Sequence, residues 1–391
     1  MGIFARNSKQ KPMNYSMFKT VATIVVTVIL CGSCIQTEAP NAEADIESCS
    51  MAEGVLISTP QIENDRIILR IDPTVDRTQL ALNLVLTPGA TVEPPSGTVR
   101  NFREPQTYTV TSEDGKWKKT YTVTSMVGDM STTYSFENYE LIGTAIIKYY
   151  SFHELVEIEV DGEKTMEKQA LWASGNSGYS IPIQFMPSKT PEDFPTAANM
   201  EGFKGSCVKL VTRSTGSIGG AQGMPIAAGN LFIGEFGKVG VNKEEALKAT
   251  HFGEKFNYIP TGISGYYKYK AGEKYQEGKV IIPDKKDNFD IYGIMYEADA
   301  DTPHLDGTNA LTSPNLVSVA RMKEGEKKET DEWTYFYIPF KPIPGTEIDP
   351  IKLKEGKYKV SLVFSSSIEG AYFNGAIGST FYIDEVELIH E

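Results

Sequence analysis

Lys357-Tyr358-Lys359-Val360-Ser361-Leu362-Val363-Phe364-Ser365-Ser366-Ser367 is followed, after a short break, by Gly375-Ala376-Ile377-Gly378-Ser379-Thr380-Phe381-Tyr382-Ile383-Asp384-Glu385-Val386-Glu387-Leu388. The first run alternates Val360, Leu362 and Phe364 with positions that can face water. The second repeats the pattern with Phe381 and Ile383 and turns Asp384 outward. A period of two belongs to a β-strand, so the C-terminal part of the chain reads as a sheet protein.

Composition extends that reading. The 391 residues suffice for roughly two or three domains. Twenty Tyr and 18 Phe against 4 His favour β-structure and aromatic surfaces over metal chemistry. A formal net charge of −13 argues against a nucleic-acid partner, because phosphate binding needs a basic face.

The N-terminus reads as an address. Arg6, Lys9, Lys11 and Lys19 precede the apolar run Thr20–Leu30, long enough for a signal peptide and too short to span a bilayer. It ends in Leu30-Cys31-Gly32-Ser33-Cys34, where ordinary cleavage near Ser33 without a lipid is the alternative to the reading preferred here. Small residues directly before a Cys also resemble the bacterial lipobox, which implies a signal peptide over 1–33 and lipidation of Cys34. Residues 34–50 carry Glu38, Glu43, Asp45 and Glu47 and are expected to form a flexible tether. Acidic residues after the anchor resemble the surface-export signals of gut Bacteroidetes lipoproteins, implying an outer-membrane, lipid-anchored protein at the cell surface. Cys49 and Cys207 remain, with Cys207 expected as a buried small hydrophobe and no spacing that suggests zinc.

Residues 51–128 read as a small all-β domain, with strands expected at Gly54–Ser58, Arg66–Ile71, Leu80–Leu86, Gln106–Ser112 and Lys118–Ser125. Ile67, Leu69 and Ile71 form the inward set, and Asp114-Gly115 supplies a hairpin turn. Short strands at this spacing suggest an immunoglobulin-like β-sandwich serving as a spacer. Residues 129–391 form a larger second domain, with one helical insert at Asn242–Ala249 and long loops at Ile181–Gly205 and Thr302–Asn315.

Several segments of that second domain agree: Leu171-Trp172-Ala173-Ser174-Gly175-Asn176, Ala228-Gly229-Asn230-Leu231-Phe232-Ile233-Gly234, Ser264-Gly265-Tyr266-Tyr267-Lys268-Tyr269, Asp290-Ile291-Tyr292-Gly293-Ile294 and the closing run. In their order and spacing they resemble the putative carbohydrate metabolism domain family of Bacteroidetes lipoproteins. The resemblance implies an all-β protein in which an N-terminal Ig-like sandwich precedes a larger jelly roll with a sugar pocket on its concave face. It also implies that Phe136–Tyr139 closes the sandwich beside Phe381–Leu388. No reaction comes with the family.

Sugars present flat C–H faces and hydroxyl edges, so a site needs aromatic platforms with a few directional polar groups. Trp172 beside Ser174 and Asn176 meets that recipe; a Trp half-buried under a loop, with no part in binding, accounts for the same stretch equally well. Alternation puts Tyr266 and Lys268 on one strand face and Tyr267 and Tyr269 in the core. Asp290 and Glu297 are expected as acceptors facing the ligand, against the plainer alternative of solvated strand positions. Trp333 is read as core. No cofactor is required; Asp299, Asp301, Asp306 and Asn309 are oxygen-rich enough for a structural calcium but lack EF-hand spacing.

The expectation is a binder of oligo- or polysaccharides. A glycoside hydrolase or lyase would need a carboxylate pair that sequence cannot display, and no nucleophile elbow or HExxH motif is present. A structural lipoprotein docking an outer-membrane transporter is the third reading.

Overall fold

The computed structural model describes residues 41–391 apart from 57–59, 64, 73–74, 161–162, 238–239 and 241. The signal peptide over 1–33, Cys34 and the first part of the tether lie outside the described residues. Among the described residues the chain is almost wholly β, with a few short helices in the connections.

The first domain begins earlier than expected. Ile46–Ser50, assigned to the tether, is a strand paired antiparallel with Asn83–Leu86. A bulge between Ile46 and Ser48 explains the correction: it shifts the strand's parity so that Ile46 and Cys49 both turn inward, buried in the same core as Ile67, Leu69, Tyr108 and Val123. Arg66–Ile71 forms as expected, with Ile67, Leu69 and Ile71 inside. It pairs parallel with Lys118–Val127, which forms the expected hairpin with Gln106–Thr111 across Gly115 at φ 71°. Leu80–Leu86 is two strands, broken at buried Leu82. Within Gly54–Ser58 only Leu56 makes a bridge, to Ile71, and 57–58 lie outside the described residues.

This domain is more than a spacer. Ile68, on the opposite face of Arg66–Ile71, joins Met126 and Met130 in the core of the second domain. Arg70 donates from Nη2 to the Lys255 carbonyl at 3.0 Å, and Arg66 pairs with Glu235. Apolar burial and directional bonds together fix one domain on the other.

The second domain is a sandwich of two antiparallel sheets. One orders Thr196–Asn199, Cys207–Val211, Thr380–His390, Pro260–Lys270 and Thr330–Pro339. The other orders Trp172–Ala173, Asn230–Phe236, Tyr358–Ser365, Asp290–Glu297 and Leu316–Arg321. Their inner faces share one core that includes Ile263, Tyr267, Tyr269, Phe289, Ile291, Leu362, Phe364, Phe381 and Ile383. Closure of first strand on last occurs through Thr133–Tyr134, which pairs with Val386–Glu387. Residues 136–139 lie just beyond that pair; Phe136 is buried in the core. The expected long loop Ile181–Gly205 contains the edge strand Thr196–Asn199, whose register with Cys207–Val211 buries Ala197. The helical insert is the short Lys243–Leu247, capped by Asn242, whose side chain accepts from the Glu245 N–H.

Candidate functional site

Side chains alternate across a strand, so each sheet has an outward set. In the second sheet, register brings that set into two rows. Asn230, Ser365 and Asp290 are neighbours across three strands, and Phe232, Val363, Tyr292 and Arg321 across four. These rows floor a cavity of about 630 Å³. Its walls are connections: the turn of helix Asn176–Tyr179, helix Gly216–Ala221, helix Lys243–Leu247, the segment from Gly307 to Thr312, and the turn around Tyr372. The volume lies in the range of ligand pockets, and the lining is dominated by aromatic and aliphatic groups.

The polar part of the floor is an ion-pair network. Arg321 donates to Asp290 from Nε (3.2 Å to Oδ1, 3.1 Å to Oδ2) and from Nη2 (2.7 Å to Oδ2). Lys327, whose side chain is 1% exposed, donates to Asp290 Oδ1 at 3.3 Å and to Glu324 Oε2 at 3.2 Å. A buried ammonium is tolerable only when paired, and Asp290 supplies the pairing. Arg321 Nη1 keeps no protein partner among the described residues and remains a donor at the cavity wall. Burial, and after it the Asp290 charge, hold the Tyr292 hydroxyl well above the usual phenol range, so it stays protonated. Behind the floor, Asp287 Oδ2 accepts from Ser367 Oγ (2.6 Å), Ser379 Oγ (2.6 Å) and the Ala376 N–H (2.7 Å). Thr212 bonds Ser366 and Ser367. That cluster ties the two sheets together at the end of the floor.

Of the ligand-binding set expected from the sequence, Trp172, Ser174, Asn176, Tyr266, Lys268, Asp290 and Glu297, only Asp290 lines this cavity, and it does so already ion-paired. Trp172 is 6% exposed and faces the core, packed against Tyr134, Phe136 and Phe364, with Nε1 donating to Glu154 Oε1 at 3.1 Å. It is a core residue, because its register partner Ile233 is itself inward. Asn176 is 0% exposed and brackets the Thr196 backbone, donating from Nδ2 at 2.7 Å and accepting at Oδ1 at 3.1 Å. Ser174 accepts from the Asn176 N–H and is half-buried. Of the Trp172-to-Asn176 segment only Gly175 lines the cavity; the side chains of Trp172, Ser174 and Asn176 lie behind that wall. Glu297 pairs with Lys352 at 2.6 Å and lies outside the cavity. It is an odd number of residues from Asp290, hence on the other face, and about 23 Å along the strand.

Tyr266 and Lys268 do share a face, on the outer side of the other sheet. Tyr266 stacks on Phe203 at 3.7 Å, and Lys268 Nζ lies 4.7 Å from the Trp333 ring centroid. Trp333, expected in the core, belongs to this outward set. Asp299 and Asp306 cap their own loops, accepting from the Thr302 and Thr308 N–H groups. Among the described residues, no group of three or more His, Cys, Asp or Glu is disposed to hold a metal ion.

Phe232, Tyr292, Arg321 and Tyr372 escaped the sequence reading. A weak signal existed: Tyr292 and Asp290 share a strand parity, and outward aromatics on a strand are unusual unless something covers them.

Residues 135–389 match the family described as putative carbohydrate metabolism domain, and residues 47–125 match the one described as SGBP, N-terminal. A crystal structure described as a putative glycoside hydrolase from Bacteroides thetaiotaomicron is 50% identical, with a TM-score of 0.69, covering 91% of this chain and 99% of its own. Another so described, from Bacteroides vulgatus, is 39% identical, with a TM-score of 0.57, covering 66% of this chain and 98% of its own. No curated protein matches the chain.

Proposed function

Since the chain belongs to the putative carbohydrate metabolism domain family, we propose that it is a glycan-binding lipoprotein of the cell surface that captures oligo- or polysaccharide in the cavity floored by Phe232, Tyr292, Val363 and Arg321. One observation carries the reading. Asp290 is the sole carboxylate among the described residues lining the cavity, and Arg321 and Lys327 hold it in a charge network. Cleavage by the common glycosidase route needs two carboxylates roughly 5 to 10 Å apart, one of them free to give a proton. Binding needs what is present: aromatic faces, a guanidinium donor and a phenol that is always protonated.

The SGBP-type first domain, docked through Ile68 and Arg70, fits a rigid presentation of the cavity away from a membrane. Lipidation at Cys34 would supply the outer-membrane anchor, and a transporter is the natural recipient of captured glycan.

A glycan array probed with the full chain tests the reading, followed by calorimetry and product analysis on each hit. Saturable binding without new reducing ends is expected, weakened about tenfold by Tyr372→Ala, whose side chain sits half-exposed at the cavity rim. Accumulation of reducing ends, abolished by Asp290→Asn, would instead establish a hydrolase.

A further inference from the structure

The first sheet carries a second outward array on the side remote from the cavity. Register aligns Lys209, Tyr382 and Lys268 on three adjacent strands, and Lys268 reaches Trp333 on the fourth. The next row pairs Tyr266 with Tyr335, and Phe203 lies parallel over Tyr266 at 3.7 Å and 9°. Phe203 is 47% and Tyr335 57% exposed. Rows about 6.7 Å apart along the strands and about 4.8 Å apart across them make this a flat face rather than a groove.

Phe203 is held there by construction. Its loop is pinned just after the ring by two carboxylates: Asp384 Oδ2 accepts from the Lys204 N–H at 3.0 Å, and Glu137 Oε1 accepts from the Ser206 N–H at 3.0 Å. Two glycines permit the fit. A Cβ at Gly205 would lie 1.9 Å from Glu137 Oε1, where φ is +66°, and one at Gly202 would lie 2.7 Å from Asp384 Oδ2. Burying Asp384 is costly, since burial pushes its carboxyl up to about 6. Two carboxylates and two glycines are therefore committed to presenting one exposed aromatic ring.

Charge names the ligand class. Lys268 Nζ sits 4.7 Å from the Trp333 centroid and 5.1 Å from that of Tyr382, and Lys209 Nζ 5.8 Å from Tyr382. Neither ammonium has a carboxylate partner among the described residues, whereas Lys204 at the edge is paired with Glu385. In a chain of net charge −13, these two neighbouring cations seated on aromatic rings leave positive charge available on this face. A central Lys is atypical of protein–protein interface cores, which are depleted in Lys. It suits a polymer that offers both a stacking face and an anion.

We infer that this face is a second binding surface, for an anionic polysaccharide whose pyranose faces lie on Phe203, Tyr335 and Trp333 while uronate or sulfate oxygens accept from Lys268 and Lys209. It is independent of the cavity and does not require that reading to hold.

Affinity electrophoresis of the full chain through gels containing polygalacturonate, chondroitin sulfate or neutral dextran tests it. Retardation by at least one acidic polymer is expected, falling with added salt, and weakened about tenfold by Lys268→Gln and by Tyr335→Ala. Tyr335 is exposed enough that its variant should keep the wild-type unfolding midpoint. Tyr372→Ala in the cavity should leave this retardation unchanged. The inference is overturned if neither acidic polymer retards the chain, or if the two platform variants migrate like wild type. Equal retardation by dextran would overturn the anionic assignment, and purification of a stoichiometric protein complex lost in Tyr335→Ala would make the face a protein interface instead.

Discussion

Replacing Glu154 by Gln should stabilise the protein in alkaline solution and leave it unchanged in acid. Glu154 is 5% exposed, and its Oε1 accepts from Trp172 Nε1 at 3.1 Å. Burial pushes its carboxyl up to about 7 from 4.5, against the smaller opposing pull of the Trp172 hydrogen bond. The folded state therefore holds this proton more tightly than the unfolded chain does. The stabilisation from protonation is complete below 4.5 and is lost as pH rises through about 7. At ~1.4 kcal/mol per pH unit, the interval corresponds to about 3 kcal/mol. Gln keeps an oxygen for the indole N–H and carries no charge at any pH. Wild type and variant should thus have equal stability near pH 4.5, and the variant should lead by about 3 kcal/mol at pH 8. Urea unfolding at a series of pH values measures the gap. Trp172 fluorescence should titrate near neutrality in the wild type alone. Parallel stability curves for the two proteins, or a variant weaker at pH 8, would refute the argument that burial, and not a compensating partner, governs Glu154.

Trp172→Phe keeps most of the core packing but removes the bond to Glu154, so it should cost about 1–3 kcal/mol in urea unfolding. Affinity for any glycan that binds the cavity should not change, because the indole faces the core. Gly205→Ala forces a side chain into the left-handed region and onto Glu137, and should cost about 2 kcal/mol. Near-UV circular dichroism should also show loss of the Phe203–Tyr266 stack.

Much of the strand pattern could be read because its cause is local. Ile67, Leu69 and Ile71, or Tyr267 and Tyr269, turn inward by parity, and the turn at Asp114-Gly115 follows from backbone preference. The same rule put Tyr266 with Lys268 and set Glu297 apart from Asp290. It failed where a residue's surroundings come from distant segments. Trp172 sits in a Gly-, Ser- and Asn-rich stretch that looks like a ligand loop. Its burial is decided by Tyr134, Phe136 and Phe364, none of which lies within 30 residues. Ile46–Ser50 resembled tether because its acidic flanks hid a short strand whose partner is Asn83–Leu86.

The sequence by itself determined an all-β chain and the family to which its second domain belongs, since periodicity, turn chemistry and motif order are properties of consecutive residues. Only the tertiary structure decided which outward sheet face became a cavity and which stayed flat. Asp290, Tyr292, Val363, Phe232 and Arg321 meet through the register of strands widely separated in the chain. Connections to Tyr179, Leu247, Thr312 and Tyr372 roof that face, while a single pinned loop lays Phe203 on the other. Parity says that a side chain leaves the core; what it meets outside is set by long-range packing.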